Sequence, residues 1–433
     1  MKWKVLTKFR NEERMVLLIF VLECLWFFFF KQQLDFFISP LIFMLFPVLL
    51  FKYLIHKREL FEPTLQSAGK PVSLIHLLPV ILVLFILAIR AQLMFGSNPI
   101  DATKSDIIPL IRDIYVNRFL NGDNVYAPYS GFNYGTFTPN YMPLHWLPFV
   151  IANLFGFDYR WVGLGFFLIP LFVLQYHIFR SETSLLHFYC KSALYPLILT
   201  LILFKQTKEI LFTVEILISA YYIFLGISLF SNKIFARPIG VILTLLSRYS
   251  ALFWMPLLAA ESWVQDKKKF FYQVLILLVG LVFLYFMPFV LQTPAMLTSG
   301  ANLWIDAALN EWDGQHWQNP GDLPFQLFQG NGFASWFYLW WPGSLPQKIV
   351  SLKNVMIGLT FTSMLVLLVW QLKHKAYSPL FLLLSLKVVL SVFYAFVIVP
   401  YEYLFWVPIF LTPLCFIFMN PQTSTESVTE INS

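Results

Sequence analysis

Apolar runs recur from one end of this chain to the other and constrain its fold more than any other feature. A helix needs about 20 apolar residues to cross the hydrocarbon core of a bilayer. Runs at 15–30, 36–55, 72–91, 143–155, 161–179, 192–204, 210–230, 239–246, 251–264, 271–291, 349–370, 379–399 and 404–419 reach or approach that length. Several are too short to cross alone. Of the 433 residues 58% are hydrophobic and only 12% charged, where a soluble domain carries about a quarter. So few charges cannot coat soluble domains of this combined size, which excludes a disordered chain, a coiled coil and a nucleic-acid partner. The expected architecture is an all-α membrane protein, a polytopic helical bundle of about 11–13 transmembrane segments with outer loops carrying amphipathic helices.

No internal repeat and no Pro-rich or Gly/Ser-rich linker interrupts residues 1–420, so one polytopic membrane domain is expected. Outer loops fall at about 92–142 and 292–348, and a polar tail at 421–433 is expected to be disordered. The net charge of +7 is explained first by basic loops held in the cytoplasm. Lys2, Lys4, Lys8, Arg10 and Arg14 precede the first run, which lacks a small-residue cleavage site after it. It reads as an uncleaved span with a cytoplasmic N-terminus. His56-Lys57-Arg58, Lys267-Lys268-Lys269 and Lys373-His374-Lys375 mark further cytoplasmic loops, which puts 92–141, 292–348 and 400–403 on the outer face. Residues 231–238 and the triple lysine both read as cytoplasmic, yet Arg248 breaks the apolar stretch between them. Two short helices that enter and return, with Arg248 at their tip, resolve the parity, provided the tip lines a wet cavity. Cys24, Cys190 and Cys415 are far apart and form no disulfide framework or metal-ligand spacing.

The first outer loop holds the chemistry that is easiest to read. Ile107, Leu110, Ile111 and Ile114 fall at i, i+3, i+4 and i+7, the apolar stripe of an amphipathic helix lying flat on the membrane surface. Ser105 is its expected N-cap and Gly122 its stop. Asp106 then occupies the first turn, where the helix dipole favours an ionised carboxylate. Such a group either caps the helix or acts as general base toward a hydroxyl within hydrogen-bond reach. Asp113 shares the polar face beside Arg112 and reads as an ion-pair or positioning residue. Tyr126, Tyr141 and His145 follow, the last two where the chain returns to the bilayer. Taken singly they are ordinary interfacial anchors.

This pattern, Asp106 heading an amphipathic helix, Gly122 to Tyr126 as Gly-x-x-x-Tyr and Tyr141-Met142-Pro143 as Tyr-x-Pro, resembles the polytopic GT-C glycosyltransferases. The likeness is to the bacterial branch related to polyprenyl-phosphate-mannose-dependent mannosyltransferases. It covers residues 72–291 in layout, and its sharpest part runs from Asp106 to Pro148. The resemblance implies a multi-pass protein of the bacterial plasma membrane with its active site on the outer face. It further implies a sugar donor linked to polyprenyl phosphate, a glycan or lipid acceptor, inversion at the anomeric carbon, Asp106 as catalytic carboxylate and a basic residue at a later helix break. Arg248 stands at that break in place of the usual Lys. The first loop has no Asp-Asp, Asp-Glu or Asp-x-Asp pair, so neither a metal nor another cofactor is expected.

Arg248 also carries an argument of its own. An Arg between apolar helices costs about 2.5–3.5 kcal/mol on insertion and by default marks a functional cavity. Its planar fork suits phosphate, and a structural ion pair is the alternative. The Lys205-Gln206-Thr207-Lys208-Glu209 break adds charge to the same cavity or is a plain loop, while Lys387 and Glu215 seek buried partners. In the second outer loop Trp304, Asp306, Glu311, Trp312, Asp313, His316, Trp317, Trp336, Trp340 and Trp341 suit either a sugar or a bilayer surface. Tyr401 and Glu402 reach the same face and complete the expected substrate-binding set of Arg248, Asp113, Tyr126, Tyr141 and His145. Two rivals stand beside the glycosyltransferase. One is a transporter or flippase with Arg248, Lys387 and Glu215 along a path, the other a ligase or polymerase of lipid-linked glycans.

Overall fold

The computed structural model describes residues 9–61, 73–101, 107–132, 135–182, 184–294, 296–313 and 323–420. Asp106, Ser105, His316, Trp317 and the tail 421–433 lie outside them. The fold is all-α and polytopic, with one two-stranded hairpin, Tyr129–Phe132 against Gly135–Phe137. In chain order the principal helices are α1 (Asn11–Leu25, running on as a wide turn Trp26–Phe30), α2 (Ile38–Leu54), α3 (Leu78–Ser97), α4 (Arg160–Ser181) and α5 (Leu185–Lys205). They are followed by α6 (Glu215–Leu229), α7 (Ala236–Leu245), α8 (Met255–Gln265), α9 (Lys267–Leu281, extended by Val282–Val290) and α10 (Met296–Asp313). The last are α11 (Leu345–His374), α12 (Pro379–Ala395) and α13 (Trp406–Phe410), after which Thr412–Ile417 completes the final pass.

Among the described residues five helices are long and apolar enough to span a bilayer alone: Leu74–Ser97, Arg160–Ser181, Leu185–Lys205, Lys267–Val290 and Leu345–His374. α3 and α9 leave Leu78, Ile81, Phe85, Leu275, Leu278 and Phe283 exposed, far more apolar surface than water tolerates on a stable monomer. The chain is a membrane protein. α6 and α12 are enclosed instead, with Leu217, Ile218, Leu225, Leu386, Val389 and Leu390 at 0% exposure.

The bundle has two polar ends. At one, Lys57 pairs with Glu12 at 3.0 Å, Lys269 Nζ reaches the Asn232 carbonyl at 3.5 Å and Gln265 donates to the Tyr377 carbonyl at 3.0 Å. Trp370 packs against both His56 and His374. The described parts of the basic segments at 10–14, 56–58, 267–269 and 373–375 therefore gather here, together with a buried knot in which Lys191 holds Glu182 and the Ile417 and Met419 carbonyls; Lys2, Lys4 and Lys8 lie outside the described residues. At the other end the two long loops, the 31–37 turn and the 400–403 turn meet. Phe36 packs on Phe328, Phe37 stacks on Trp340, Thr293 donates to Asn124 at 2.8 Å and Asn331 donates to the Pro400 carbonyl at 3.1 Å.

Residues 143–155 do not make a pass. Arg160, the first residue of α4, donates to the Asn98 carbonyl at 2.7 Å and the Phe95 carbonyl at 3.1 Å at the close of α3. The whole excursion between them thus begins and ends at one end of the bundle. The segment is also broken into Pro143–Trp146, Leu147–Phe149 and Val150–Phe155. At 1.5 Å per residue it measures about 20 Å, against a hydrocarbon thickness of about 30 Å.

α7 and α8 form the entering and returning pair. Arg237 and Glu261 join them at the foot through bonds of 2.7 and 3.2 Å, and Arg237 also donates to the Leu229 carbonyl, which terminates α6. At the tip Arg248 meets Glu215, the first residue of α6. The hairpin therefore runs the full length of α6.

Candidate functional site

Arg248 stands where α7 has ended and a 3₁₀ stretch, Tyr249–Trp254, leads into α8. Helix ends leave backbone groups unpaired, and here side chains fix the tip instead. Tyr222 of α6 and Tyr394 of α12 hydrogen-bond to Ser250 Oγ from two sides at 2.6 and 3.0 Å. Trp254 Nε1 donates to Ser385 Oγ at 3.0 Å. Thus clamped, the Arg248 guanidinium gives Nη2 to the Glu215 carboxylate and lies 6.0 Å from the Tyr403 ring centroid. The Tyr394 hydroxyl also supports the guanidinium, while Nη1 is buried and meets no acceptor at hydrogen-bond geometry among the described residues. An orphaned buried donor on a charged group costs about 1–3 kcal/mol or more, so this nitrogen marks a position where an acceptor is wanted.

The first long loop closes over the tip. The Leu144 amide donates to the Leu246 carbonyl at 2.8 Å, which seats the turn Pro143–Trp146 on the hairpin. His145 is 3% exposed and stacks on Tyr141 with ring centroids 4.4 Å apart and planes at 11°. Its Nε2 also lacks a partner. Burial first, then the charge of Arg248, push the imidazole down to about 3, against a main-chain contact with Ser247, so the ring is neutral at physiological pH. Tyr126 supports this arrangement from behind: its hydroxyl donates to the Tyr141 carbonyl at 2.8 Å and accepts from Trp146 Nε1 at 3.2 Å. Tyr115 accepts the Asn140 and Tyr141 amides at 3.0 and 3.1 Å.

The loop helix that carries Tyr115 departs from the expected form. It runs as Ile107–Leu110, a wide turn Ile111–Val116 and Asn117–Asn121, ending on Gly122 at φ +77°. The wide turn rotates the stripe, so that Ile108, Leu110, Ile111, Ile114, Tyr115 and Val116 are buried together. Tyr115 and Phe119 pack on Trp146. Protein rather than a lipid surface covers this face of the helix.

A second polar group gathers on Glu402. Glu402 pairs with Lys31 at 2.8 Å and accepts from Gln206 at 2.9 Å and Gln32 at 3.2 Å. Gln206 in turn accepts from Trp406 Nε1 at 2.6 Å. Glu209 sits within the field of both Glu402 and Glu215, and burial first, then the Glu402 charge, raise its carboxyl to about 8 against the pull of Lys31. Burial lowers the Lys31 ammonium, with Glu402 opposing. The 205–209 break is thus electrostatically linked to Glu402 and to Glu215, the partner of Arg248. Tyr401 stacks on Tyr403 with ring centroids 5.4 Å apart and donates to Glu311 at 2.9 Å.

Arg248, Tyr141, His145, Tyr401 and Glu402 are therefore brought to one end of the bundle, and Tyr126 supports them. Asp113 is engaged by its neighbour, with Arg112 Nε and Nη2 at 2.7 and 3.1 Å; this is the ion pair weighed for it. Lys387 is held deep in the bundle by Glu23 at 2.6 Å and the Pro408 carbonyl at 2.8 Å. Sequence reasoning missed Lys31, Tyr394, Ser250 and Tyr222. Only Lys31, in a polar Lys-Gln-Gln triplet between apolar runs, carried a visible signal. Among the described residues no three His, Cys, Asp or Glu side chains converge on a metal position. No protein-family model matches the chain, and neither does any curated protein or solved structure.

Proposed function

We propose that the protein is a membrane glycosyltransferase, which moves a sugar from a polyprenyl-phosphate carrier to a hydroxyl acceptor on a glycan or lipid. The reading rests on one observation: a half-buried guanidinium, clamped at the tip of a helix hairpin with Nη2 on the Glu215 carboxylate and Nη1 buried without a hydrogen bond among the described residues. Such a group suits a phosphate that arrives with its own charge. The loop that covers it is the one in which Asp106 immediately precedes Ile107.

In the proposed reaction the acceptor oxygen attacks the anomeric carbon and its proton passes to the Asp106 carboxylate. The bond from that carbon to the phosphate oxygen breaks with inversion, its electron pair leaves on the polyprenyl phosphate, and Arg248 holds the developing charge. The gathering of basic segments at the opposite end supports a cytoplasmic N-terminus and a site on the outer face of the membrane, and the family likeness suggests a bacterial plasma membrane. In the transporter reading Lys387 lies along a path; its enclosure by Glu23 and the Pro408 carbonyl argues against that. The test is transfer from polyprenyl-phosphate sugars by the full chain in vesicles. Loss of transfer in folded Asp106→Asn and Arg248→Gln variants is expected, and full retention in Asp106→Asn overturns the mechanism.

A further inference from the structure

At the end of the bundle opposite Arg248, α8, α9 and α11 leave a crevice of about 320 Å³ between them, lined by Ala259, Ala260, Trp263, Val264, Phe270 and Leu372. Ala259 and Ala260 are too short to close it, and the rings of Trp263 and Phe270 meet edge to face at 5.5 Å along its wall. Every lining side chain is apolar, and Trp263, Val264 and Leu372 are exposed. All six residues lie within about 9 Å of a helix end at 1.5 Å per residue. The mouth of the crevice is basic. Lys267 Nζ stands 5.2 Å over the Trp263 ring. Gln265 donates to the Tyr377 carbonyl at 3.0 Å and Lys269 Nζ reaches the Asn232 carbonyl at 3.5 Å, so the turns 231–236, 265–269 and 373–377 converge here. They carry Lys233, Lys267, Lys268, Lys269, Lys373 and Lys375 against Asp266 alone, and Asp266 caps the Lys269 amide at 3.0 Å.

Sidedness accounts for the lysines, but not for an open apolar crevice directly beneath them. Its walls offer water no partner, and a soluble polyanion has nothing to place there. A molecule with an anionic head and an apolar chain satisfies both features at once. We infer that the crevice seats an acyl chain of an anionic glycerophospholipid, with the lysines of the three turns around its phosphate. Trp263 then lies at the boundary between head and chain, the depth an amphipathic ring prefers. The volume takes a segment of one chain rather than a whole lipid, so the remainder stays in the leaflet. Ala260 adjoins Glu261, whose pair with Arg237 closes the foot of the hairpin, so the seated chain braces that foot against α11. The site is independent of the reading of Arg248.

Native mass spectrometry of the full chain, released from nanodiscs of equimolar dioleoyl phosphatidylglycerol and dioleoyl phosphatidylcholine, tests this. The wild type is expected to retain phosphatidylglycerol at least fivefold over phosphatidylcholine. Lys267→Gln combined with Lys373→Gln should bring that preference within twofold, while Arg180→Gln, which removes a charge at the end of α4, should leave it unchanged. Ala260→Phe keeps every lysine but fills the crevice, and should abolish the preference as well. A measurement that needs no filled crevice accompanies it: phosphatidylglycerol brominated near the carbonyl end of its chains should quench the emission that Trp263→Phe removes, and more strongly than phosphatidylcholine brominated alike. Equal retention of the two lipids by the wild type, a preference that survives Ala260→Phe, or equal quenching overturns the assignment. Displacement of half or more of the retained phosphatidylglycerol by equimolar polyprenyl phosphate would give the crevice to the carrier lipid and overturn it too.

Discussion

Arg237 and Glu261 are joined by two parallel hydrogen bonds, 2.7 and 3.2 Å long, at the foot of the hairpin whose tip presses Arg248 against Glu215. The Glu261 carboxylate is fully enclosed. Desolvating two charges repays little by itself, but removing one partner leaves the other stranded, at a cost of about 3–5 kcal/mol. Glu261→Ala is expected to destabilise by that amount in denaturant unfolding of the purified protein. Arg237→Met combined with Glu261→Leu should recover most of the loss, because neither charge is then left alone. If the double variant is as unstable as Glu261→Ala, the pair holds the hairpin by its specific geometry rather than by charge compensation.

Tyr126 ties the covering loop together behind the turn that seats on the tip. Its hydroxyl donates to the Tyr141 carbonyl and accepts from Trp146. Tyr126→Phe keeps the ring and its packing but orphans one buried acceptor and one buried donor, each worth about 1–3 kcal/mol at most. A loss of about 2 kcal/mol in unfolding free energy is expected, together with weaker binding of donor, since Tyr141 carries the stack on His145. Unchanged stability would mean that water replaces the hydroxyl and that the loop is not fixed from this side.

The helical character, the re-entrant pair with Arg248 at its tip and the gathering of the two long loops were all legible, because each follows from where apolar runs stop and charges begin. The path of 143–155 was not. Its apolar content is that of a crossing, and only the bond from Arg160 back to the Asn98 carbonyl shows that the chain has not changed ends. The partners of Arg248 and Lys387 were also beyond reach, since Glu215 and Glu23 approach them from helices 33 and 364 residues away in sequence. The pattern gives one face of a helix; it does not give the neighbour.

Glu209 makes stability depend on pH in a direction unusual for a carboxyl. Burial and Glu402 raise it to about 8 from an ordinary value of 4.5, so the folded protein holds a proton there that the unfolded chain has already released. Stability from this group is complete below about pH 4.5 and is lost as pH rises through about 8. Melting temperatures measured between pH 5 and 9 should fall with rising pH in the wild type, and Glu209→Gln should flatten that slope. A slope unchanged by the substitution would assign the effect to another group.

Gly240 brings the hairpin backbone directly against α6. A Cβ built on it would lie 3.0 Å from the Leu225 Cα and 2.8 Å from Ser228 Oγ. The Leu225 contact is backbone and cannot move aside as a flexible side chain would. Small residues let helices in a membrane pack by dispersion alone, where no hydrophobic force draws them together, and overpacking such a contact costs about 1–3 kcal/mol. Gly240→Ala should therefore lower unfolding free energy by about that much. It should also reduce transfer, because α7 must shift off α6 and carry Arg248 away from Glu215. Gly165, within α4, supplies the control, since a Cβ there meets nothing within 4 Å. Gly165→Ala should be neutral or stabilise by up to about 1 kcal/mol through helix propensity. Equal effects of the two alanines would show that the glycines matter for backbone freedom and not for the depth at which the hairpin seats.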